Sequence, residues 1–142
     1  MAPFRPEEVT LPSRFLCKTA HLVAIVTVLF DVEAVVGNLQ IASSDPLFDT
    51  RKQQITGLCY AAIGCFAVDY VSLFLGISMF FPAVMSLNIL AHFVGTILVV
   101  LFYTDNWSFD SFVAFFAVFN VLPMLLEVFT LVFVTRFSFL KY

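Results

Sequence analysis

The chain has 142 residues, of which 61% are hydrophobic and only 12% are charged, with a formal net charge of −3. Its mean hydropathy is +1.01. Soluble domains are about 45–50% apolar and about 25% charged, and one water-soluble core of this size cannot cover so much apolar side chain. The small net charge says nothing about nucleic acid, but the sequence has no basic patch of the sort that DNA binding needs, so no nucleic-acid partner is predicted. The composition therefore indicates a membrane protein.

The N-terminal part of the chain predicts a short tail followed by a first membrane span. Residues 1–12 are polar and spaced by prolines, which indicates an extended tail. Ser13 follows a proline and is a plausible N-cap, so the first helix is expected over about residues 13–32. Lys18 lies near its start and is expected to extend back to the membrane surface, whereas His21 lies one turn deeper.

Three further apolar segments follow a long connection. Residues 34–54 carry turn signals, which predict a loop without catalytic character. The remaining helices are expected over about residues 55–79, 84–104 and 109–135, followed by a tail at 136–142. Each segment is near or above the ~20 apolar residues that cross a bilayer. The predicted fold is a single all-α domain, a four-helix transmembrane bundle.

The distribution of Lys and Arg predicts the orientation. Five basic residues fall on the side of the termini: Arg5, Arg14, Lys18, Arg136 and Lys141. Two fall on the other side, Arg51 and Lys52, together with several acidic residues. Because cytoplasmic segments carry the excess of Lys and Arg, both termini are predicted to be cytoplasmic.

A layer of polar side chains is expected inside the bundle. Asp69 and His92 bracket the break between the second and third spans at similar depth. An ionisable group at membrane depth usually faces protein and marks a functional hypothesis. The full predicted layer is His21, Asp69, His92, Asn120 and Glu127. Asp69 is expected to pair with His92, and His21 with Glu127.

Three interpretations of this layer remain open. It could be a structural clamp of hydrogen bonds between helices, or a proton relay in a transporter or channel. It could also be a metal site, for which His21, Asp69, His92 and Glu127 form a weak candidate set. No span contains an H-E-x-x-H or E-x-x-H pair, which disfavours the metal. No cofactor and no catalytic residue are predicted.

Small residues predict where the helices approach each other. In lipid, small side chains let helices pack closely. The predicted small face consists of Ala61, Cys65, Ser72 and Gly76 on the second span, with Gly95 on the third. Pro123 is expected to bend the fourth span and to free the carbonyl of Phe119.

Two further motifs receive structural interpretations. The three cysteines are Cys17, Cys59 and Cys65, and their spacing suits neither a zinc site nor a disulfide framework, so they are interpreted as packing residues. Asn106-Trp107-Ser108 is a glycosylation sequon. The loop that carries it is short and close to the membrane, so Asn106 is expected to be unmodified.

Several short motifs resemble the transmembrane protein 107 family, whose members are tetraspan membrane proteins. They are Leu11-Pro12-Ser13-Arg14-Phe15-Leu16, Ala20-His21-Leu22-Val23, Phe66-Ala67-Val68-Asp69, Gly76-Ile77-Ser78-Met79-Phe80, Ser86-Leu87, Ala91-His92 and Leu122-Pro123 with Glu127. Asp69 stands where the family is expected to have Glu, and Lys18 and the C-terminal tail also depart from its pattern.

The resemblance implies a function that the residues alone do not. It implies a non-enzymatic membrane scaffold at the ciliary transition zone, at the base of the cilium. There the protein would work with other membrane proteins of the Meckel-syndrome-type complex in the gate that controls ciliary membrane composition, and would support cilium assembly. The alternative is a small proton- or ion-conducting subunit that uses the buried His and carboxylate layer.

Overall fold

The computed structural model describes residues 6–105 and 107–137, and all regular secondary structure within these ranges is helical. The elements are α1 (Pro6–Phe30), α2 (Val32–Asn38), α3 (Pro46–Leu75), a 3₁₀ turn (Ile77–Phe80), α4 (Pro82–Thr104), α5 (Phe109–Phe116), a π-helical turn (Ala117–Val121) and α6 (Leu122–Phe137).

Four stretches of the described chain are long and apolar enough to cross a membrane. They are Val9–Phe30, Pro46–Leu75, Pro82–Thr104 and Phe109–Arg136. The last stretch comprises α5, the π-helical turn and α6, which together form one continuous fourth span. The predicted all-α fold with four membrane-crossing helices is confirmed.

The first helix begins earlier than predicted. It starts at Pro6, so the expected extended tail is wrong for residues 6–12, while residues 1–5 lie outside the described part. Pro12 lies inside the helix, where its ring removes one backbone hydrogen bond near the helix end. Ser13 is not a cap, because its hydroxyl donates to the carbonyl of Val9 at 2.7 Å. Pro12 and Ser13 therefore do not mark the start of the helix, contrary to the prediction.

The predicted loop at residues 34–54 is largely helical. It contains most of α2 and the beginning of α3, which Asp45 caps by accepting a hydrogen bond from the backbone N–H of Leu47 at 2.8 Å. Pro46 occupies the first turn, where its missing N–H has no consequence. The Asp-Pro pair is therefore a helix start, and α3 begins nine residues before the expected position, 55.

The connection between α3 and α4 is tight. α3 ends at Leu75, because Gly76 adopts a left-handed conformation (φ 70°) that suits glycine. The 3₁₀ turn follows, and α4 begins at Pro82. The second span therefore ends four residues before the predicted position, 79.

The helices are arranged so that consecutive spans are not always neighbours. α1 packs against both α3 and α4, and the fourth span packs against the same two helices. α3 and α4 therefore lie across the bundle from each other, although only the 3₁₀ turn separates them in sequence. Side chains from α3 and α4 meet in the middle of the bundle rather than along a shared helix interface.

The two ends of the bundle differ in chemistry. The end that carries α2 has an apolar core that includes Val28, Val35, Val36, Ile55, Cys59, Phe102 and Phe112. Polar contacts hold α2 over this core: Lys52 donates to Glu33, and Asn38 donates to the backbone carbonyl of Tyr103 at 2.8 Å. Cys59 is fully buried, while Cys17 and Cys65 are half-buried, and all three are free thiols. Toward the other end, the core is polar.

Candidate functional site

The polar side chains of the bundle interior form a network centred on α1. Arg14, Lys18 and His21 are each fully buried, at 0% exposure. Their spacing of four and three residues places them on one face of the helix, over a height of about 10 Å. The network also includes buried side chains from the other elements: Asp69, Ser72, Ser78, Asn88, His92 and Glu127.

Glu127 of α6 is the acceptor for three other elements. Arg14 donates to it and forms an ion pair, and Ser72 donates to its second oxygen. The amide of Asn88 also donates to it, at 2.6 Å. Arg14 additionally donates to the hydroxyl of Ser78 in the 3₁₀ turn, at 2.7 Å. One carboxylate and one guanidinium thus connect all four spans and the tight turn.

Asp69 of α3 organises the second half of the network. The ammonium of Lys18 donates to its backbone carbonyl at 3.2 Å and lies 3.9 Å from its Oδ1. Nε2 of His92 lies 3.3 Å from Oδ2, within ion-pair distance, although the alignment falls outside hydrogen-bond geometry. Oδ1 accepts no hydrogen bond. Asp69 is therefore flanked by a cation and an imidazole.

The two imidazoles contact each other directly. Nδ1 of His21 lies 3.2 Å from Nδ1 of His92, so one nitrogen donates and the other accepts. If His92 donated, its bare Nε2 would face the Asp69 carboxylate. The favourable arrangement is therefore that His21 donates and His92 presents N–H to Asp69. Nε2 of His21 is then a buried acceptor without a hydrogen bond.

Gly95 makes room for this imidazole pair. A Cβ atom at Gly95 would lie 2.5 Å from Cε1 of His21 and 2.9 Å from Cβ of Phe119. Both are closer than non-bonded carbon atoms approach, so only glycine fits between α1 and the π-helical turn. Phe66 closes the other side, with its ring edge-on to His21 at a centroid distance of 5.1 Å.

The four charged groups of the network neutralise one another. Arg14 and Lys18 contribute two positive charges, and Asp69 and Glu127 contribute two negative charges, with both groups of each pair nearly or fully buried. Removing an ion from water costs several kcal/mol even after relaxation, and only close opposite charges and hydrogen bonds offset that cost. The arrangement therefore makes each charge dependent on its partner.

The predicted polar residues are all buried, but the predicted pairing is only partly present. Asp69 and His92 come together, whereas His21 does not pair with Glu127, because Arg14 occupies that carboxylate and His21 contacts His92. Asn120 is buried in the π-helical turn, and its Oδ1 accepts no hydrogen bond. The layer is a column along α1 rather than a single level.

The candidate metal set is not assembled. Within the described residues, no group of three His, Cys, Asp or Glu side chains is placed to hold a metal ion. Glu127, one of the four candidates, is engaged by Arg14, Ser72 and Asn88 instead of facing the imidazoles.

The predicted small face is wrong at its first residue. Ser72 and Gly95 are buried and Cys65 and Gly76 are half-buried, but Ala61 is exposed. Residues spaced by four drift by about 40° per step around a helix of 3.6 residues per turn. Ala61 is therefore about 80° away from Asp69, and Ala62 takes the packing position.

Sequence reasoning missed the two cations of the site. Arg14 was placed among the basic residues of the terminal side, and Lys18 was expected to reach the membrane surface, but both point into the bundle. Their i, i+4, i+7 spacing with His21 is the signal that could have identified them. The sequon residue Asn106 lies outside the described residues.

The π-helical turn of the fourth span lies shortly before Pro123 in the sequence. Pro123 has no N–H, so the carbonyl of Phe119 loses its regular helical donor, as predicted. The backbone N–H of Leu122 donates to the carbonyl of Ala117, one residue further back than in an α-helix. Single π turns of this kind are frequent at functional sites, and here the turn carries the buried Asn120.

The fold and this site define a polytopic α-helical membrane protein with a neutralised ionic core. The profile of the transmembrane protein family TMEM107 matches residues 10–131. The chain belongs to this family, which confirms the resemblance seen in the sequence.

Individual relatives match over most of their length. Transmembrane protein 107 of Xenopus laevis is 29% identical over 119 residues, covering 83% of this chain and 85% of the relative. That of Homo sapiens is 26% identical over 132 residues (92% and 93%), and that of Danio rerio is 24% identical over 122 residues (85% and 90%). No solved structure matches the chain.

Proposed function

We propose that this protein is a non-enzymatic membrane scaffold of the ciliary transition zone. In this role it would hold partner membrane proteins of the Meckel-syndrome-type complex at the base of the cilium, help to control ciliary membrane composition and support cilium assembly. Both termini would face the cytoplasm, as the distribution of Lys and Arg predicts. Family membership supports the class of protein, and the motif resemblance supports the ciliary role.

The observation that carries the scaffold proposal is how the buried charges are used. Arg14, Ser72 and Asn88 converge on Glu127 from three different helices, which fixes the relative positions of all four spans. A scaffold in lipid needs such a fixed arrangement, because its outward faces must present constant surfaces to partners. The hydrophobic effect does not supply it there, since lipid is as apolar as the helix surface.

A second function is favoured by one specific observation, the contact chain from Asp69 through His92 to His21. A proton that arrives at the bare Nε2 of His21 can be relayed along these contacts. Nδ1 of His21 then gives its proton to Nδ1 of His92, and Nε2 of His92 gives its proton to the Asp69 carboxylate. Such chains of carboxylates and imidazoles occur in membrane proton relays. The alternative function is therefore a small proton-conducting subunit.

Localisation in a ciliated cell tests the scaffold proposal. A fluorescent fusion of the full chain, expressed at a low level, is expected to concentrate at the ciliary base. Uniform plasma-membrane fluorescence without a signal at the ciliary base would overturn the proposal. Proton flux through purified proteoliposomes tests the alternative, with His21→Phe as the variant that removes the open end of the imidazole chain.

A further inference from the structure

We propose that the groove between α1 and the end of α4 binds a phospholipid with a primary ammonium headgroup, of the phosphatidylethanolamine type. The ammonium would donate hydrogen bonds to Asp31, and an acyl chain would lie along α1. This inference concerns the end of the bundle opposite the ionic network. It does not depend on the ciliary role or on which leaflet the groove faces.

The groove has the dimensions and the walls of an acyl-chain site. Its volume is about 500 Å³. Four apolar side chains of α1 line it along one face: Leu22, Val23, Val26 and Phe30. Phe30 and Val23 are largely exposed, at 86% and 58%, so no helix of the described residues covers this face.

A carboxylate, Asp31, lines the groove at one end. Asp31 follows directly after the apolar span Val9–Phe30, which places it at the level where lipid headgroups begin. Tyr103 of α4 donates to Oδ2 of Asp31 at 2.6 Å and holds the carboxylate at the mouth of the groove. The groove is therefore mainly apolar and carries a carboxylate at one end. Its polar side chain on α1, Thr27, donates its hydroxyl to the backbone carbonyl of Val23.

Asp31 has no cation to neutralise it within the described chain. The neighbouring Lys52 pairs with Glu33, and Arg51 lies over the ring of Phe109 at 4.4 Å, so both nearby basic side chains have other partners. An ionised carboxylate has about four acceptor positions, and Tyr103 uses one. The remaining positions suit a ligand that brings both positive charge and N–H donors.

This chemistry distinguishes among lipids. An ethanolamine headgroup carries three N–H donors, and a choline headgroup carries the same charge without any. A charge-assisted hydrogen bond is about twice as strong as a neutral one, so discrimination should follow the number of N–H groups. A hydroxyl-bearing lipid would bring a donor but no charge, and a partner helix would show no headgroup preference.

The test is lipid retention by the purified full chain, reconstituted with equal amounts of two lipids that share identical acyl chains. Ethanolamine, N-methylethanolamine and N,N-dimethylethanolamine lipids are each mixed with the choline lipid in turn. Native mass spectrometry then counts how many molecules of each lipid stay bound to the protein. The expected preference for ethanolamine is about two- to fivefold, the range of an exposed ion pair, and it should decline at each methylation.

Three variants test whether the preference for ethanolamine lipid arises in the groove. Asp31→Asn keeps the size of the side chain and an acceptor for Tyr103, and should remove the preference. Asp110→Asn removes another exposed carboxylate that does not line the groove, and should leave the preference unchanged. Val23→Trp fills the groove from an exposed position and should reduce retention of all four lipids.

Three results would overturn the proposal. They are equal retention of ethanolamine and choline lipids, a preference that survives Asp31→Asn, or a preference lost equally in Asp110→Asn. Each variant is first compared with the parent chain for thermal unfolding in choline lipid alone, and Tyr103→Phe serves if Asp31→Asn fails to fold. The Tyr103→Phe variant lacks the hydroxyl that orients Asp31. It should lower the preference for ethanolamine lipid while the groove remains open.

Discussion

The guanidinium of Arg14 on the first span donates to the carboxylate of Glu127 on the fourth span, and both side chains are fully buried. These two spans lie across the bundle from each other, because each packs against α3 and α4. The ion pair therefore passes through the centre of the protein. It links the first and last quarters of the sequence at a depth where neither charge can reach water.

Gly95→Ala is expected to destabilise the protein by about 1–3 kcal/mol, the usual cost of an overpacked core. The added methyl group would overlap the imidazole of His21 and Cβ of Phe119. Thermal unfolding in detergent, followed by size-exclusion fluorescence, measures the effect. Gly57→Ala is the matched control, since nothing lies within 4 Å of its added methyl group. Equal behaviour of the two variants would show that α1 does not approach Gly95 closely.

Asp69→Ala and His92→Ala are each expected to lower the amount of folded protein, and the double replacement should cost less than the sum. Each single change leaves its partner polar and unpaired in a low-dielectric interior. A double-mutant cycle on thermal stability measures the coupling, which for interhelical pairs in membranes averages about 0.6 kcal/mol. Strictly additive effects would mean that the two side chains do not interact.

Lys18→Met is expected to destabilise the protein strongly, because it leaves the Asp69 carboxylate without its cation. Met retains most of the aliphatic stem, so the loss reports on charge rather than on packing. Adding Asp69→Asn should restore part of the stability, since the uncompensated charge is removed. Lys52→Met is the control, because its pair with Glu33 is exposed and should contribute little. If Lys18→Met behaved like the control, Lys18 would reach water.

Tags at either terminus are expected to be accessible only from the cytoplasm. With Arg14 and Lys18 buried in the bundle, a smaller excess supports this topology. Three basic residues remain on the side of the termini and two on the other, namely Arg5, Arg136 and Lys141 against Arg51 and Lys52. Antibody labelling after selective permeabilisation of the plasma membrane gives the measurement. A second tag inserted at Ser43, in the connection between α2 and α3, provides the opposite control. Labelling of a terminal tag in intact cells would show that the terminus faces outward and would contradict the predicted orientation.

Much of the fold followed from the sequence, because apolar runs of about 20 residues have few alternatives to membrane-crossing helices. The burial of Asp69, His92 and Glu127 followed from the same logic, since ionisable groups at that depth avoid lipid. What failed depended on rotation about the helix axis. Ala61 is predicted on the packing face, but Ala62 occupies it, because the drift of about 40° for every four residues carries Ala61 about 80° away from Asp69.

Which side chains pair with the buried carboxylates is harder to predict from the sequence than the burial of the carboxylates themselves. A long basic side chain near a helix end can turn outward to the membrane surface or inward to an anion, and both are physically reasonable. Lys18 turns inward because Asp69 and its backbone carbonyl are within reach. The spacing of Arg14, Lys18 and His21 places the three side chains on one face of α1. The packing of α1 between α3 and α4 makes that face the interior one.

The central claim is that the buried ionic network holds the four spans in one arrangement. The measurement that tests it most directly is a double-mutant cycle on thermal unfolding with Arg14→Met, Glu127→Gln and their combination. Each single change is expected to destabilise the protein by about 3–5 kcal/mol, because it leaves a buried charge unpaired, and the double variant should be more stable than either single variant. Unchanged stability in both single variants, with loss of proton flux in proteoliposomes, would contradict the claim and assign the network to conduction.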